Sequence, residues 1–154
     1  MARDWLFKGD NWLCDLRAAG VLIRDGKILV QRDKNGAEYA LPGGHVQVGE
    51  TTENALKREF QEEMGNEITV QRLLWTEECF WTWNGRQTHN LCFYYLIDGD
   101  ITDNGTFAPH HDNDNVVYGY LPLEELENVT LYPAFLKERI FSLGTHPEHF
   151  VTYA

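Results

Sequence analysis

Between Gly44 and Gly65 the chain reads GHVQVGETTENALKREFQEEMG, with Glu50, Arg58, Glu59, Glu62 and Glu63 at fixed spacings between the two glycines. On a helix, at about 100° per residue, Glu59, Glu62 and Glu63 fall within roughly 100° of one another, beside an apolar stripe rather than opposite it. Like charges one turn apart cost an isolated helix about 0.2–0.5 kcal/mol per pair, and more in a cleft of low dielectric. A cation offsets them. Hard divalent cations take oxygen ligands, and magnesium binds through one or two carboxylates together with substrate phosphates and water. Ala55, one turn before Glu59 on the same face, leaves room for such ions. An ordinary solvated helix face would explain any one of these glutamates, but not the set with its glycines and arginine.

The segment that must carry them is itself readable. Leu56, Phe60 and Met64 recur every fourth residue. Thr51 or Thr52 offers an N-cap, and Gly65 can end the helix in the left-handed conformation. Strand signals surround it at Ala18 to Ile23, Lys27 to Arg32 across an Asp25-Gly26 turn, Ile68 to Trp75, Cys79 to Trp83, and Leu91 to Ile97. A second helix is expected from Pro133, a residue suited to a first helical position, toward a stop at Gly144.

The pattern resembles the signature of the Nudix (MutT-like) hydrolases: glycine, five residues, Glu, seven residues, then Arg-Glu-apolar-any-Glu-Glu-any-Gly-apolar. Every defined position matches except the last, where Asn66 replaces an aliphatic residue and Ile68 stands two residues on. Leu41-Pro42-Gly43 and Leu121-Pro122-Leu123-Glu124-Glu125-Leu126 also look like Nudix neighbours. The resemblance implies an α+β fold of the Nudix α/β/α sandwich type with a mixed β-sheet. It also implies metal-dependent hydrolysis of a nucleoside diphosphate linked to another group, with magnesium, or manganese as its substitute, and water attacking phosphorus. Glu59, Glu62 and Glu63 match the family's metal ligands, as does the backbone carbonyl of Gly43. Glu50 and Arg58 complete the catalytic set, the arginine fork holding carboxylates in orientation. Gly43-Gly44 would let the backbone turn sharply and approach the ions. The general base stays open: in some members a box glutamate serves, in others an acid from a distant loop, for which Asp112 or Asp114 in His110-His111-Asp112-Asn113-Asp114-Asn115 are the candidates, with Glu77 and Glu78 elsewhere. Where related sequences often carry a glutamate, this one has Asn90.

Asn84-Gly85 between aromatic runs is a strong hairpin signal, and a two-residue turn sets Trp83 opposite Arg86 and Trp81 opposite Thr88. Trp81, Trp83 or Tyr39 could stack on a nucleobase with Arg86 near phosphates. Core or dimer packing explains the same aromatics.

The chain of 154 residues, 43% hydrophobic, is expected to form one domain over 1–154, without linker, repeat or low-complexity tract. Cys14, Cys79 and Cys92 are an odd set without CxxC spacing, which argues against a disulfide framework or zinc site. No apolar run has the length of a signal peptide or membrane span, so a cytoplasmic protein with no membrane partner is expected. A net charge of -11 disfavours nucleic acid polymers as partners. Small nucleotides remain compatible, because bound cations invert the local charge. The substrate stays open among nucleoside triphosphates, ADP-ribose and nucleotide sugars. The alternatives are a non-catalytic, nucleotide-sensing Nudix domain, against which the intact glutamates argue, and isoprenoid diphosphate isomerisation, for which no cysteine stands out. Homodimerisation through the aromatic hairpin or the Trp5 to Trp12 segment follows from family analogy alone.

Overall fold

The structure, a computed structural model, describes residues 2–154. In chain order the strands are β1 (Leu6–Lys8), β2 (Trp12–Val21), β3 (Ile23–Arg24), β4 (Lys27–Asp33), β5 (Glu38–Ala40) and β6 (Gly43–His45). After helix α1 (Thr52–Met64) come β7 (Ile68–Trp83), β8 (Arg86–Gly99), β9 (Ala108–Pro109), β10 (Val116–Pro122), β11 (Thr130–Tyr132), helix α2 (Leu136–Arg139) and β12 (Glu148–Tyr153). They form two six-stranded sheets: β1-β2-β8-β7-β12 with β6 on β2, and β11-β5-β4-β10-β9 with β3 on β4. Both are mixed, with β2–β8, β7–β12 and β5–β11 parallel and the other pairs antiparallel. The fold is α+β, as expected.

Two apolar clusters hold the layers together. On one side Ala55, Leu56, Phe60 and Met64 of α1 bury against Ala18, Leu29, Tyr95 and Ile97 of the strands. On the other, Leu126 of a 3-10 turn (Leu123–Asn128), Leu136 of α2 and Ile140 bury against Val21, Val30, Leu74 and Trp75. Burial of such side chains is worth about 1.5–3 kcal/mol each, which is what seats α1 at a fixed height on the sheet.

The box helix has the caps its sequence offers. Thr51 is the N-cap, its hydroxyl accepting from the Asn54 N–H at 3.1 Å, and Gly65 closes the helix at φ 68° with its N–H donating to the Gln61 carbonyl. Thr51→Ala is expected to cost about 1 kcal/mol, read as a lowered midpoint in urea with an unchanged slope.

The hairpin also forms as read. Asn84 (φ 49°) and Gly85 (φ 75°) make the turn, with Trp83 facing Arg86 and Trp81 facing Thr88. The strands are longer than their signals. The two runs expected at Ile68 to Trp75 and Cys79 to Trp83 are one strand, because Glu77, which lies between them, is buried and satisfied: it accepts from Tyr94 Oη and Thr152 Oγ1, both at 2.7 Å.

The second helix is a correction. Instead of Pro133 to Gly144 it spans only Leu136–Arg139. Phe135 is drawn into an aromatic cluster, stacked on Phe150 at 4.0 Å and edge-on to Trp75 at 5.4 Å. Leu136 and Ile140, one turn apart, are both buried, so a single turn satisfies the packing. Flanking aromatics add little intrinsic propensity to extend it.

Candidate functional site

The site begins with two glycines that need space rather than left-handed backbone, since neither has a positive φ. In β6, Gly43 pairs with Ala19 and Gly44 with Ala18 of β2. A Cβ on Gly43 would stand 2.7 Å from the Ala19 Cα and overlap the Ala18 carbonyl, while one on Gly44 would lie 2.6 Å from Glu59 Oε1. Glycine 44 is therefore the seat of the Glu59 carboxylate.

Arg58 organises the rest. Its Nε and Nη2 donate to both oxygens of Glu50, at 3.2 and 2.7 Å, a fork-on-carboxylate pair. Nη1 donates to Glu59 at 3.0 Å and Glu62 at 3.1 Å, and Nη2 also to the His45 carbonyl at 3.0 Å. One guanidinium thus ties the loop after β6 to the helix. The Arg58 hydrogen bonds hold the Glu50 carboxyl below its ordinary range, with help from the Gln47 N–H at 2.7 Å, and Glu50 with its neighbours keeps Arg58 charged.

Glu63 is different. It is 7% exposed, and burial, reinforced by Glu59 beside it and by the charge of Asp112, raises its pKa well above the carboxylate range. A buried carboxyl held neutral beside a second carboxylate is a pair that an oxygen-liganded divalent cation would ionise by taking the place of the proton, and the donor set is all oxygen. That is the fit to a cation. Among the described residues no three His, Cys, Asp or Glu side chains converge on one point, since Glu59 and Glu62 are turned to Arg58.

The loop after β9 docks on the last turn of α1. The His111 N–H donates to the Glu63 carbonyl at 2.7 Å, and buried His110 puts Nδ1 3.6 Å from Glu63 Oε2. Burial pushes the His110 imidazole below its ordinary pKa. Both loop acids are exposed, and the charge of Asp112 acts on both Glu63 and His110.

The other named side chains are dispersed. Tyr39 lines a hollow of about 530 Å³ with Arg32, Glu38 and Tyr132. Trp81, Trp83 and Arg86 lie at the hairpin end of β7 and β8, where Trp81 lines a separate hollow of about 630 Å³ with Trp12, Phe80 and His89, and none of the three lines the cavity at Gly43-Gly44. Trp81 Nε1 donates to Asn90 Oδ1 at 2.6 Å, and Asn90 donates in turn to buried Asp15. Asp15 Oδ2 meets His45 Nε2 at 2.7 Å, so this partly buried relay ends on the residue whose carbonyl binds Arg58.

Sequence reasoning missed that relay and missed a cavity of about 150 Å³ on the other side of Gly43-Gly44, walled by Arg17, Gln31, Leu41, Cys92, Tyr94 and Tyr132. Burial pushes the Cys92 thiol up to about 12, so it lines the cavity as a neutral group. The one available signal was polar Asp15 and Arg17 alternating within an otherwise apolar strand.

Comparison with known proteins bears on what this arrangement does. The family model for the NUDIX domain matches residues 15–141. An ADP-ribose pyrophosphatase of Methanocaldococcus jannaschii is 45% identical over 36% of this chain and 34% of its own length. An 8-oxo-dGTP diphosphatase of Haemophilus influenzae is 43% identical over 31% of this chain and 39% of its own. The chain spans only about a third to two-fifths of the length of these curated relatives. Among solved structures, the solution structure of the E. coli ORF135 protein superposes with a TM-score of 0.59 at 28% identity, covering 84% of this chain and 90% of that one.

Proposed function

The chain belongs to the NUDIX family, and on that premise we propose that it hydrolyses the pyrophosphate bond of a nucleoside diphosphate joined to another moiety. The reaction uses a divalent cation, magnesium with manganese as substitute, held by Glu59, Glu62, Glu63 and the Gly43 carbonyl. The observation that carries this reading is the Arg58 fork gripping Glu50, Glu59 and Glu62 beside buried Glu63. The relatives named for ADP-ribose and 8-oxo-dGTP support the substrate class, since both compounds carry a nucleoside with a P–O–P bridge.

When bound, the cation neutralises phosphate charge and makes bound water more acidic. The chain's own residues do the positioning. Arg58 orients the carboxylates, Glu50 balances its charge, and Gly44 leaves room for Glu59 against the strand. Arg17, half exposed at the rim of the neighbouring cavity, offers a positive charge to a phosphate oxygen. Asp112 is the loop acid best placed to accept a proton from water, because its segment is pinned to α1 through His111 and Glu63.

Turnover in ¹⁸O-labelled water tests this. Label is expected in a phosphoryl group of one product; label on a sugar carbon hydroxyl would contradict attack at phosphorus.

A further inference from the structure

Two hollows lie side by side, the inner lined by Gly43 and Gly44, and they share three residues: Gln31, Ala40 and Tyr132. The inner one, of about 150 Å³, is smaller than the ~300–1,000 Å³ of typical ligand clefts, while the outer adds about 530 Å³. The inner compartment therefore suits one flat ring rather than a whole nucleotide. Its walls agree. Leu41 and Cys92 are uncharged, and Tyr94 presents its ring because its hydroxyl is committed to Glu77 at 2.7 Å.

Gln31 sits at the junction of the two compartments, paired in the sheet with Ala40 of β5 and Tyr118 of β10. Its Oε1 is buried and finds no partner among the described residues. A buried amide oxygen left unpaired carries its full desolvation cost, which native folds seldom tolerate without a reason. The outer compartment offers a ligand little welcome for further negative charge: Asp33 and Glu38 line it, and its one cation, Arg32, is engaged with the carbonyls of Asp33 and Lys34.

We propose that Gln31 is the specificity-determining residue of this site: its side-chain amide reads the hydrogen-bonding edge of the substrate's nucleobase in the inner compartment. The outer compartment takes a neutral, hydroxyl-bearing group. This rests on the hydrolase reading above. An amide offers one acceptor and a pair of donors, so it matches a base edge with adjacent donor and acceptor, and a site built that way rejects bases lacking the match. Gln31 is thus a contact of substrate selection, not of the chemical step.

The test compares kcat/KM for adenosine, guanosine, cytidine and uridine diphosphate sugars in the wild type, Gln31→Leu and Gln31→Glu. Nucleoside monophosphate affinities by calorimetry give a readout that does not need turnover. The wild type is expected to discriminate among bases by about tenfold or more. Gln31→Leu is expected to compress that spread to within about threefold, through KM rather than kcat, without lowering Tm, because it removes an unpaired buried oxygen. Gln31→Glu, an acceptor only, is expected to shift the ranking toward bases that present an amino group. An unchanged ranking in both variants, in turnover and in monophosphate binding, overturns the proposal. Base-selective binding that depends on Gln31 without any metal-dependent turnover leaves it standing and sinks the hydrolase reading instead.

Discussion

Glu63→Gln is expected to leave the fold intact, to stabilise the metal-free protein at pH 8, and to lower metal-dependent turnover by about 10³-fold. The stability half follows from burial. The folded-state pKa of Glu63 is raised above its unfolded value, so between the two values the folded protein binds a proton that the unfolded chain has lost. Stability therefore falls as pH rises through that window, by at most about 1.4 kcal/mol per pH unit for one group. Glutamine mimics the protonated carboxyl and removes the slope. The activity half follows from the ligand role proposed for Glu63, since a cation contributes several kcal/mol of charge stabilisation to phosphoryl transfer and each ~1.4 kcal/mol is a factor of ten in rate. Thermal denaturation from pH 5 to 8 of wild type and variant, with and without magnesium, checks the pair of effects. A wild-type Tm that does not fall with pH in EDTA would contradict the first half.

The two adjacent glycines are expected to fail in different ways. In Gly44→Ala the atoms nearest the new methyl are the carboxylate of Glu59, the end of a flexible side chain that can swing aside, so the protein folds while the carboxylate leaves its seat. Displacement of about 1 Å at a reacting centre costs about 10²-fold, and the loss is expected in kcat with Tm nearly unchanged. In Gly43→Ala the methyl meets backbone of Ala18 and Ala19, which cannot yield without parting β6 from β2. A destabilisation of about 3 kcal/mol is expected, read as a drop in the urea midpoint. Equal stability losses in both variants would show that the Glu59 seat is not where Gly44 matters.

The box helix was legible because its information is local. Leu56, Phe60 and Met64 keep one period, Thr51 and Gly65 cap it, and all three apolar residues are buried. The hairpin at Asn84-Gly85 was legible for the same reason, as both residues accept positive φ. What escaped was set by partners far away in the chain. Residues 76–78 lay between the two expected runs, and Glu77 continues the strand because Tyr94 and Thr152 satisfy it. The helix expected from Pro133 shrinks because Phe135 has better partners in Phe150 and Trp75 than in a further turn. The cavity beside the box draws on β2, β4, β5, β6, β8 and β11, and no window of sequence contains it. The aromatics of the hairpin were noticed for their type, yet the hydrogen bond from Trp81 to Asn90 places that ring in the relay toward Asp15 and His45, outside the cavity at Gly43-Gly44.

The claim that the box helix holds a cation for pyrophosphate hydrolysis is tested most directly by one assay. Release of phosphate, pyrophosphate or nucleoside monophosphate is followed from a panel of nucleoside triphosphates, ADP-ribose and nucleotide sugars, with magnesium, with EDTA, and with Glu62→Gln. Turnover that requires magnesium and is lost in the variant is the predicted result. Stabilisation by a nucleotide with no turnover of any compound would contradict it and identify a nucleotide-sensing domain.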